Sequence, residues 1–444
     1  MDDFDVVLVN AHFSESDSNR RLCPPLGILY LGSLLLQNRL KVKLLDYNLE
    51  PKGPEGIAED IRGMKSPIFA ISSLSFGYAF VKNLVQIIRN ISPDSKILLG
   101  GAVTWSLPEF ILESTGVDIV VEGEAENCFL QVVEAILTDE DYTNIPGVYC
   151  MVEGEIRKPK CKQEMIKDLS SLPFPAWELV NIKEYIKRLQ HAWHSESMRS
   201  FPILASRGCP YSCNFCVKNL GDNFRSRSEG LIEEIELVIE RYMIDDIWFI
   251  DEEFALSKRR ALELCRLIES VSSSITFVCS MRVNCVSSGI LQAMKKAGCR
   301  RIMYGVESGS SKILKAMNKG FTKDQAAKAI IETRNQGIEA YVNFMFGYPG
   351  ETESTIWETI DFMKEHRLHS GFGFTTPLPG TRLFEEVMAK GLINDLDEYI
   401  LGFNPRGWAE TIAVNLTDIP TPRLLELRKL AKEETYPDRI VLKE

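Results

Sequence analysis

Three cysteines fall within eight residues, Cys209-Pro-Tyr-Ser-Cys213-Asn-Phe-Cys216. They follow an apolar run, Phe201 to Ala205, and the small connector Ser206-Arg207-Gly208. Thiolates this close on one loop suit an iron–sulfur cluster. A [4Fe–4S] cube has four irons, so three cysteines leave one iron open to a substrate or cofactor. A structural zinc site would need a fourth ligand, normally in paired C-x2–4-C spacing. Cys265, Cys279, Cys285, Cys299 and the histidines offer none at that spacing. Disulfides are disfavoured in a chain with eleven cysteines and no secretory segment.

The 444 residues are enough for two or three domains, and a hydrophobic content of 45% supplies their cores. Before residue 141 the chain alternates short apolar runs with helical periodicity. Strands are expected at Phe4–Val9, Val42–Asp46, Ile68–Leu74, Lys96–Leu99 and Asp118–Val121. Helices fit Leu26–Gln37 and Tyr78–Ile91 between them. Fully apolar strands joined by helices predict a doubly wound, Rossmann-like α/β domain over 1–141. Ligands of such sheets bind on the loops beyond the carboxyl ends of the strands.

Residues 142–200 read as a linker. It holds a small hairpin around Glu153-Gly154 and an extended stretch, Leu172-Pro-Phe-Pro-Ala-Trp-Glu178. From Phe201 six further strand–helix units run to about residue 390. They predict a partial (β/α)6 TIM-type barrel over 201–390, with its chemistry at the carboxyl ends of the strands. Residues 391–444 form a short, partly helical tail.

At the cysteine loop the chain resembles the radical S-adenosylmethionine (SAM) superfamily. There the open iron holds the amino and carboxylate groups of SAM, and one electron cleaves SAM to a 5′-deoxyadenosyl radical. Further motifs follow in the expected order. Tyr304-Gly-Val-Glu307-Ser-Gly309 resembles a G-x-E-S-G element at a strand end, and implies that Glu307 binds SAM. Phe344-Met-Phe-Gly347-Tyr-Pro-Gly350-Glu-Thr352 resembles an element that positions adenine, with Gly347 allowing close approach and Glu351 suiting a helix amino terminus. The resemblance also implies that Phe215, the aromatic within the cysteine loop, lies beside adenine. Glu253 after the second strand matches the carboxylate that bonds the SAM amino group, with Glu252 as its alternative and a solvated acidic turn as the structural reading of both. Arg282 after the third strand could grip a carboxylate bidentately or form a surface salt bridge.

The first module resembles the B12-binding domain that precedes the barrel in one subfamily. Ser72-Ser73-Leu74 and Gly100-Gly101 match its S-x-L…GG pattern, with 25 residues between Leu74 and Gly100. The resemblance implies that Ser72, Ser75, Gly100 and Gly101 contact cobalamin. The cobalt-ligand motif D-x-H-x-x-G is broken: Asn10-Ala11-His12-Phe13-Ser14-Glu15 keeps only the histidine. The lower face of the cobalt is therefore expected to meet Ser75-Phe-Gly-Tyr78 rather than His12. An emptied structural domain is the other reading of this module.

The resemblance implies a [4Fe–4S] cluster, SAM and cobalamin as cofactors. It also implies an external electron donor such as flavodoxin or ferredoxin, and cobalamin-dependent C-methylation of a small molecule. Relatives of the same layout that close rings or deoxygenate diols supply the alternative. The net charge of −11 disfavours nucleic acid as a partner. The acidic start and the absence of an 18-residue apolar run argue against a targeting segment or a membrane span, and point to the cytoplasm. No side chain is assigned as the catalyst.

Overall fold

The computed structural model describes residues 2–11, 22–192, 198–218, 221–271, 274–368, 371–403 and 411–435. They divide into two compact units, 1–197 with 395–405, and 198–394 with 406–444.

The first unit is built on a seven-stranded sheet. Its strands are β1 (Val6–Asn10), β2 (Val42–Asp46), β3 (Ile68–Ser72), β4 (Lys96–Gly100), β5 (Ile119–Val121), β6 (Val148–Val152) and β7 (Glu155–Arg157). The order is β2-β1-β3-β4-β5-β6-β7, parallel through β5 and antiparallel beyond it. Helices α1 (Leu26–Gln37), α2 (Pro54–Arg62), α3 (Tyr78–Ile91), α4 (Pro108–Thr115) and α5 (Phe129–Thr138) make the crossovers. Every residue of β1 is buried, as a strand covered on both faces must be. The chain leaves β1 for one neighbour and later returns to its other side as β3. That reversal puts a ligand crevice at the carboxyl ends of β1 and β3.

The expected hairpin of the linker is β6–β7, and it extends this sheet. The proline-rich stretch also belongs to the first unit. The Ala176 N–H donates to the Leu29 carbonyl at 3.1 Å, and the Ser33 hydroxyl to the Phe174 carbonyl at 2.5 Å. Gly32 faces the same stretch, where a Cβ would lie 2.6 Å from Leu179 Cδ1 and 3.6 Å from Ala176 Cβ. Helix α6 (Ile182–Ala192) follows, and Tyr185 from it packs with Leu22 and Leu49.

The second unit has six parallel strands in sequential order: β8 (Ser200–Ile203), β9 (Asp246–Phe249), β10 (Thr276–Ser280), β11 (Cys299–Glu307), β12 (Glu339–Phe346) and β13 (Phe372–Phe374). Helices α7 (Leu231–Tyr242), α8 (Lys258–Val271), α9 (Ser288–Lys296), α10 (Ser311–Ala316), α11 (Lys323–Asn335), α12 (Glu353–Glu365) and α13 (Arg382–Ala389) link or follow them. The first and last strands do not pair, so the sheet is an open, partial TIM-type barrel. Phe249, Phe254 and Phe277 pack against one another inside it.

The carboxyl-terminal stretch is shared. Helix α14 (Leu396–Leu401) falls in the first unit. Helix α15 (Thr421–Thr435) lies on α12, where Arg423 pairs with Glu353 at 2.7 Å and Lys364 with Glu434 at 2.5 Å. Among the described residues no helix is long and apolar enough to cross a membrane.

Candidate active site

The cysteine loop is closed at its base by an antiparallel pair, Ser206 with Ser226 and Arg207 with Arg225. Gly208 turns the chain with φ +86°, and the Cys209 N–H bonds the Gly221 carbonyl at 3.0 Å. The middle of the loop is held by the turn after α10. Asn214 donates to the Met317 and Ala316 carbonyls at 3.1 and 2.9 Å, and the Asn318 amide to the Ser212 carbonyl at 2.6 Å. The first turn of α13 adds the Leu383 N–H on the Asn214 carbonyl at 2.9 Å. Segments more than a hundred residues away thus fix a loop that has no regular structure of its own.

All eleven cysteines are free thiols. Burial pushes the Cys216 thiol up to about 12, and repulsion from Cys213, Glu252 and Cys209 adds to it. Cys216 is nevertheless open to solvent, as a group in the wall of a recess would be. Cations offset this negative set. The Arg282 guanidinium lies 3.4 Å from Cys213 Sγ, and Lys319 lowers the Cys216 thiol. The three thiols of this loop, with the Arg282 and Lys319 cations beside them, are the residues that would hold a cluster.

Arg282 is held on every side. Its ring neighbour is Tyr211 at 3.8 Å, and it donates to the Lys319 carbonyl. Its backbone N–H reaches both oxygens of Glu253, at 3.2 and 3.0 Å. Glu253 is 1% exposed, and burial raises its carboxyl to about 8. Its carboxylate therefore ties the exit of β9 to the exit of β10. Asp251 does similar work on β8, accepting from the Ser206 hydroxyl and the Ala205 N–H. Glu252 is half-buried, and its charge acts on both Cys209 and Cys216.

Glu307 sits at the end of β11 with φ +74°, where a bulge breaks the register with β12. The bulge turns its side chain back over Gly305, where a Cβ would lie 2.4 Å from Glu307 Oε1. Its carboxylate meets Lys319 Nζ at 3.6 Å. Burial raises the Glu307 carboxyl, while Lys319 and Arg282 pull it down. Lys319 also lies 5.4 Å from the Phe215 ring. Lysine 319 has no motif of its own; only its place in the turn Asn318-Lys-Gly320, with φ of +56° and +68° at its ends, marks it in the sequence.

The Phe215 ring meets Tyr348 edge-on at 6.4 Å, which joins the cysteine loop to the turn after β12. Gly347 has φ +83°, and its N–H is taken by Glu351 Oε2 at 2.6 Å. Glu351 is buried and raised to about 8 by desolvation. It serves this turn rather than the amino terminus of α12, which Thr352 caps.

In the first unit, the loops after β3 and β4 are knitted together. The Ser73 N–H bonds the Gly100 carbonyl at 3.1 Å, and the Val103 N–H bonds the Ser73 carbonyl at 3.2 Å. Gly101 has φ +89°, and a Cβ there would lie 2.6 Å from the Ser73 carbonyl oxygen. Gly100 differs: its Cβ would meet only the Val121 carbonyl, at 3.8 Å. Gly100 is partnered in register by the half-buried Ser72, and the exposed Leu74 and half-buried Ser75 follow Ser72 in the chain. A strand-end glycine with hydroxyls and an exposed leucine on the adjoining loop is the part of this unit that would meet a large, partly apolar cofactor. Asn10, at the aspartate position of the broken motif, donates to Asp46 at 2.7 Å; His12 lies outside the described residues. Tyr78 does not line the loop, since its side chain is fully buried at the start of α3.

Comparison with known proteins agrees with both units. The radical SAM superfamily model matches residues 203–363, and the B12 binding domain model matches 19–133. An uncharacterized methyltransferase of Pyrococcus horikoshii is 30% identical over 375 residues, covering 83% of this chain and 80% of that protein. The chain belongs to the radical SAM superfamily, in the branch with a B12-binding domain. Its cofactors are accordingly a [4Fe–4S] cluster, SAM and cobalamin. An anaerobic magnesium-protoporphyrin IX monomethyl ester cyclase of Rubrivivax gelatinosus is 24% identical over 394 residues, with 85% and 68% of the two chains covered. Among solved structures, the radical SAM methyltransferase TsrM of Kitasatospora setae superposes with a TM-score of 0.72 at 20% identity, covering 87% of this chain and 75% of that one. The last likeness is one of fold.

Proposed function

We propose that this radical SAM enzyme is a cobalamin-dependent methyltransferase acting on an unactivated carbon of a small molecule. The observation that carries the reading is the joint presence of a cation-faced three-thiol loop and, in the first unit, a hydroxyl- and glycine-bearing pair of loops at the carboxyl ends of the strands. The 30% identity to a methyltransferase supports it.

In this reading Cys209, Cys213 and Cys216 hold the cluster and leave one iron for SAM. Glu307, with Lys319 beside it, faces the SAM polar groups. Glu253, with Glu252 as the alternative, supplies the carboxylate for the SAM amino group, while Glu253 also accepts from the Arg282 backbone N–H. Arg282 acts as a fixed charge beside Cys213 rather than as a free carboxylate clamp. Phe215, Tyr348 and Gly347 shape the adenine side and exclude water from it. Ser72, Ser75, Gly100 and Gly101 hold cobalamin, and an outside flavodoxin or ferredoxin delivers the electron. When bound, the cluster and SAM supply a hydrogen-abstracting radical, and cobalamin supplies the methyl group. The protein's share is position, charge balance and dryness. A non-methylating cyclase is the second reading, favoured by the 24% identity to one.

Anaerobic incubation with SAM, reductant and hydroxocobalamin separates the readings. A methyltransferase forms both S-adenosylhomocysteine and 5′-deoxyadenosine. Formation of 5′-deoxyadenosine alone would favour the cyclase. The Cys209→Ala/Cys213→Ala/Cys216→Ala variant should lose cluster absorbance and both products; retention of about four irons per chain would overturn the ligand assignment.

A further inference from the structure

The turn that carries the proposed cobalamin contacts is braced by residues from the far end of the chain. Helix α14 follows all six strands of the barrel, yet it belongs to the first unit. Asp397 accepts a hydrogen bond from the Tyr78 hydroxyl at 2.5 Å, and Lys82 Nζ lies 2.9 Å from both of its oxygens. Phe403, itself 7% exposed and packed edge-on by Tyr399 at 4.9 Å, sets its ring 6.0 Å from Phe76. Phe76 belongs to the short helical turn Ser75–Gly77, between the exposed Leu74 and Tyr78.

The brace is polar at its core. The Tyr78 ring is fully buried and stacks on Phe110 at 6.3 Å. Its hydroxyl therefore needs a partner, and Asp397 is the charged acceptor. Asp395 caps α14 through the Glu398 N–H at 2.9 Å, which sets the helix that presents Asp397. The loop after β3 is thus held from inside by Ser73, Gly100 and Gly101, and from outside by Asp397 and Phe403.

We propose that Asp397 is a positioning residue for cobalamin: through Tyr78 and Lys82 it fixes the Ser72–Gly77 turn in its binding geometry. The proposal rests on the assignment of that turn to cobalamin. Pre-ordering a binding loop removes an entropic cost that binding would otherwise carry. Loss of the brace should weaken binding without touching the cofactor.

The test is equilibrium binding of hydroxocobalamin to the full-length, cluster-containing protein under anaerobic conditions, with thermal unfolding of the same samples. Asp397→Ala should bind at least tenfold more weakly than the parent while keeping its iron content and SAM-dependent 5′-deoxyadenosine formation. Asp397→Glu should recover part of the affinity. Asp60→Asn, which disturbs a comparable carboxylate bonded to Tyr47 and Lys52 in the same unit, should bind as the parent does. If Asp397→Ala does not fold, Tyr78→Phe keeps the packing and removes only the hydroxyl, and should still show weaker binding. Parent-like affinity in Asp397→Ala or Tyr78→Phe would overturn the proposal and leave the cobalamin reading standing. A parent protein that retains no hydroxocobalamin would overturn that reading, and the proposal with it.

Discussion

At the residue scale the second unit depends on a few buried charges whose partners are fixed by backbone conformation. Glu307 and Lys319 are the central pair, both largely buried. Removing one member of such a pair strands the other, at a cost of about 3 kcal/mol. Glu307→Gln should therefore lower stability in urea unfolding and also weaken SAM binding. Glu307→Gln with Lys319→Met removes both charges and should restore most of the stability, while SAM binding stays weak. Recovery of both together would assign Glu307 to folding alone. Glu351 gives a pH signature. Its carboxyl is raised to about 8 in the folded protein and is ordinary, about 4.3, when unfolded. The folded state thus holds the extra proton between those values, and its contribution to stability is lost as pH rises through the folded value. The slope approaches 1.4 kcal/mol per pH unit within the window. Glu351→Gln lacks this slope, and should become steadily more stable relative to the parent from pH 5 to pH 8. A pH-independent difference in unfolding free energy would show that Glu351 does not titrate there.

At the element scale the glycines after β4 separate a folding role from a binding role. A Cβ at residue 101 would strike the Ser73 backbone at a left-handed φ, whereas one at residue 100 meets only an ordinary contact. Gly101→Ala should cost about 2 kcal/mol or more and shift the whole loop. Gly100→Ala should alter unfolding by less than about 1 kcal/mol, yet reduce hydroxocobalamin binding, because its methyl adds bulk on the loop proposed to hold the cofactor. Unchanged binding in Gly100→Ala would remove that glycine from the site. The two glycines look alike in the sequence, and only the strands on either side distinguish them. The same limit explains what else could be read in advance. Strand–helix alternation was legible because strands such as β1 and β3 are continuous apolar runs and helices such as α3 have one apolar face. The cysteine loop was legible because its chemistry is local. Lys319 was not, since it reaches the site through a turn that carries no motif of its own. Glu253 shows the converse: its place after the second barrel strand is local, but the hydrogen bond it accepts from the Arg282 N–H is a contact between two loops that no spacing encodes.

At the scale of the whole molecule the chain builds two cores with separate sheets, and it finishes the first after the strands of the second. Phe403 completes the first core from the carboxyl-terminal stretch, and Gly298 stands at a tight crossing in the second. A Cβ at Gly298 would lie 2.3 Å from the Ile275 carbonyl oxygen, at φ +96°. Gly298→Ala should cost about 3 kcal/mol, and Phe403→Ala a similar amount from its lost burial. For units of this size each kcal/mol moves the midpoint by about 2–4 °C. Calorimetry of the ligand-free protein should then resolve two transitions, because cores that share no sheet can melt separately. Phe403→Ala should lower only the transition that hydroxocobalamin raises, and Gly298→Ala only the other. Ligand linkage identifies the first, since a molecule that binds only the folded unit stabilises that unit in proportion to its occupancy. If each substitution moved both transitions equally, the chain would unfold as one cooperative body. The late segment 395–405 would then be part of a single core rather than the closing piece of the first.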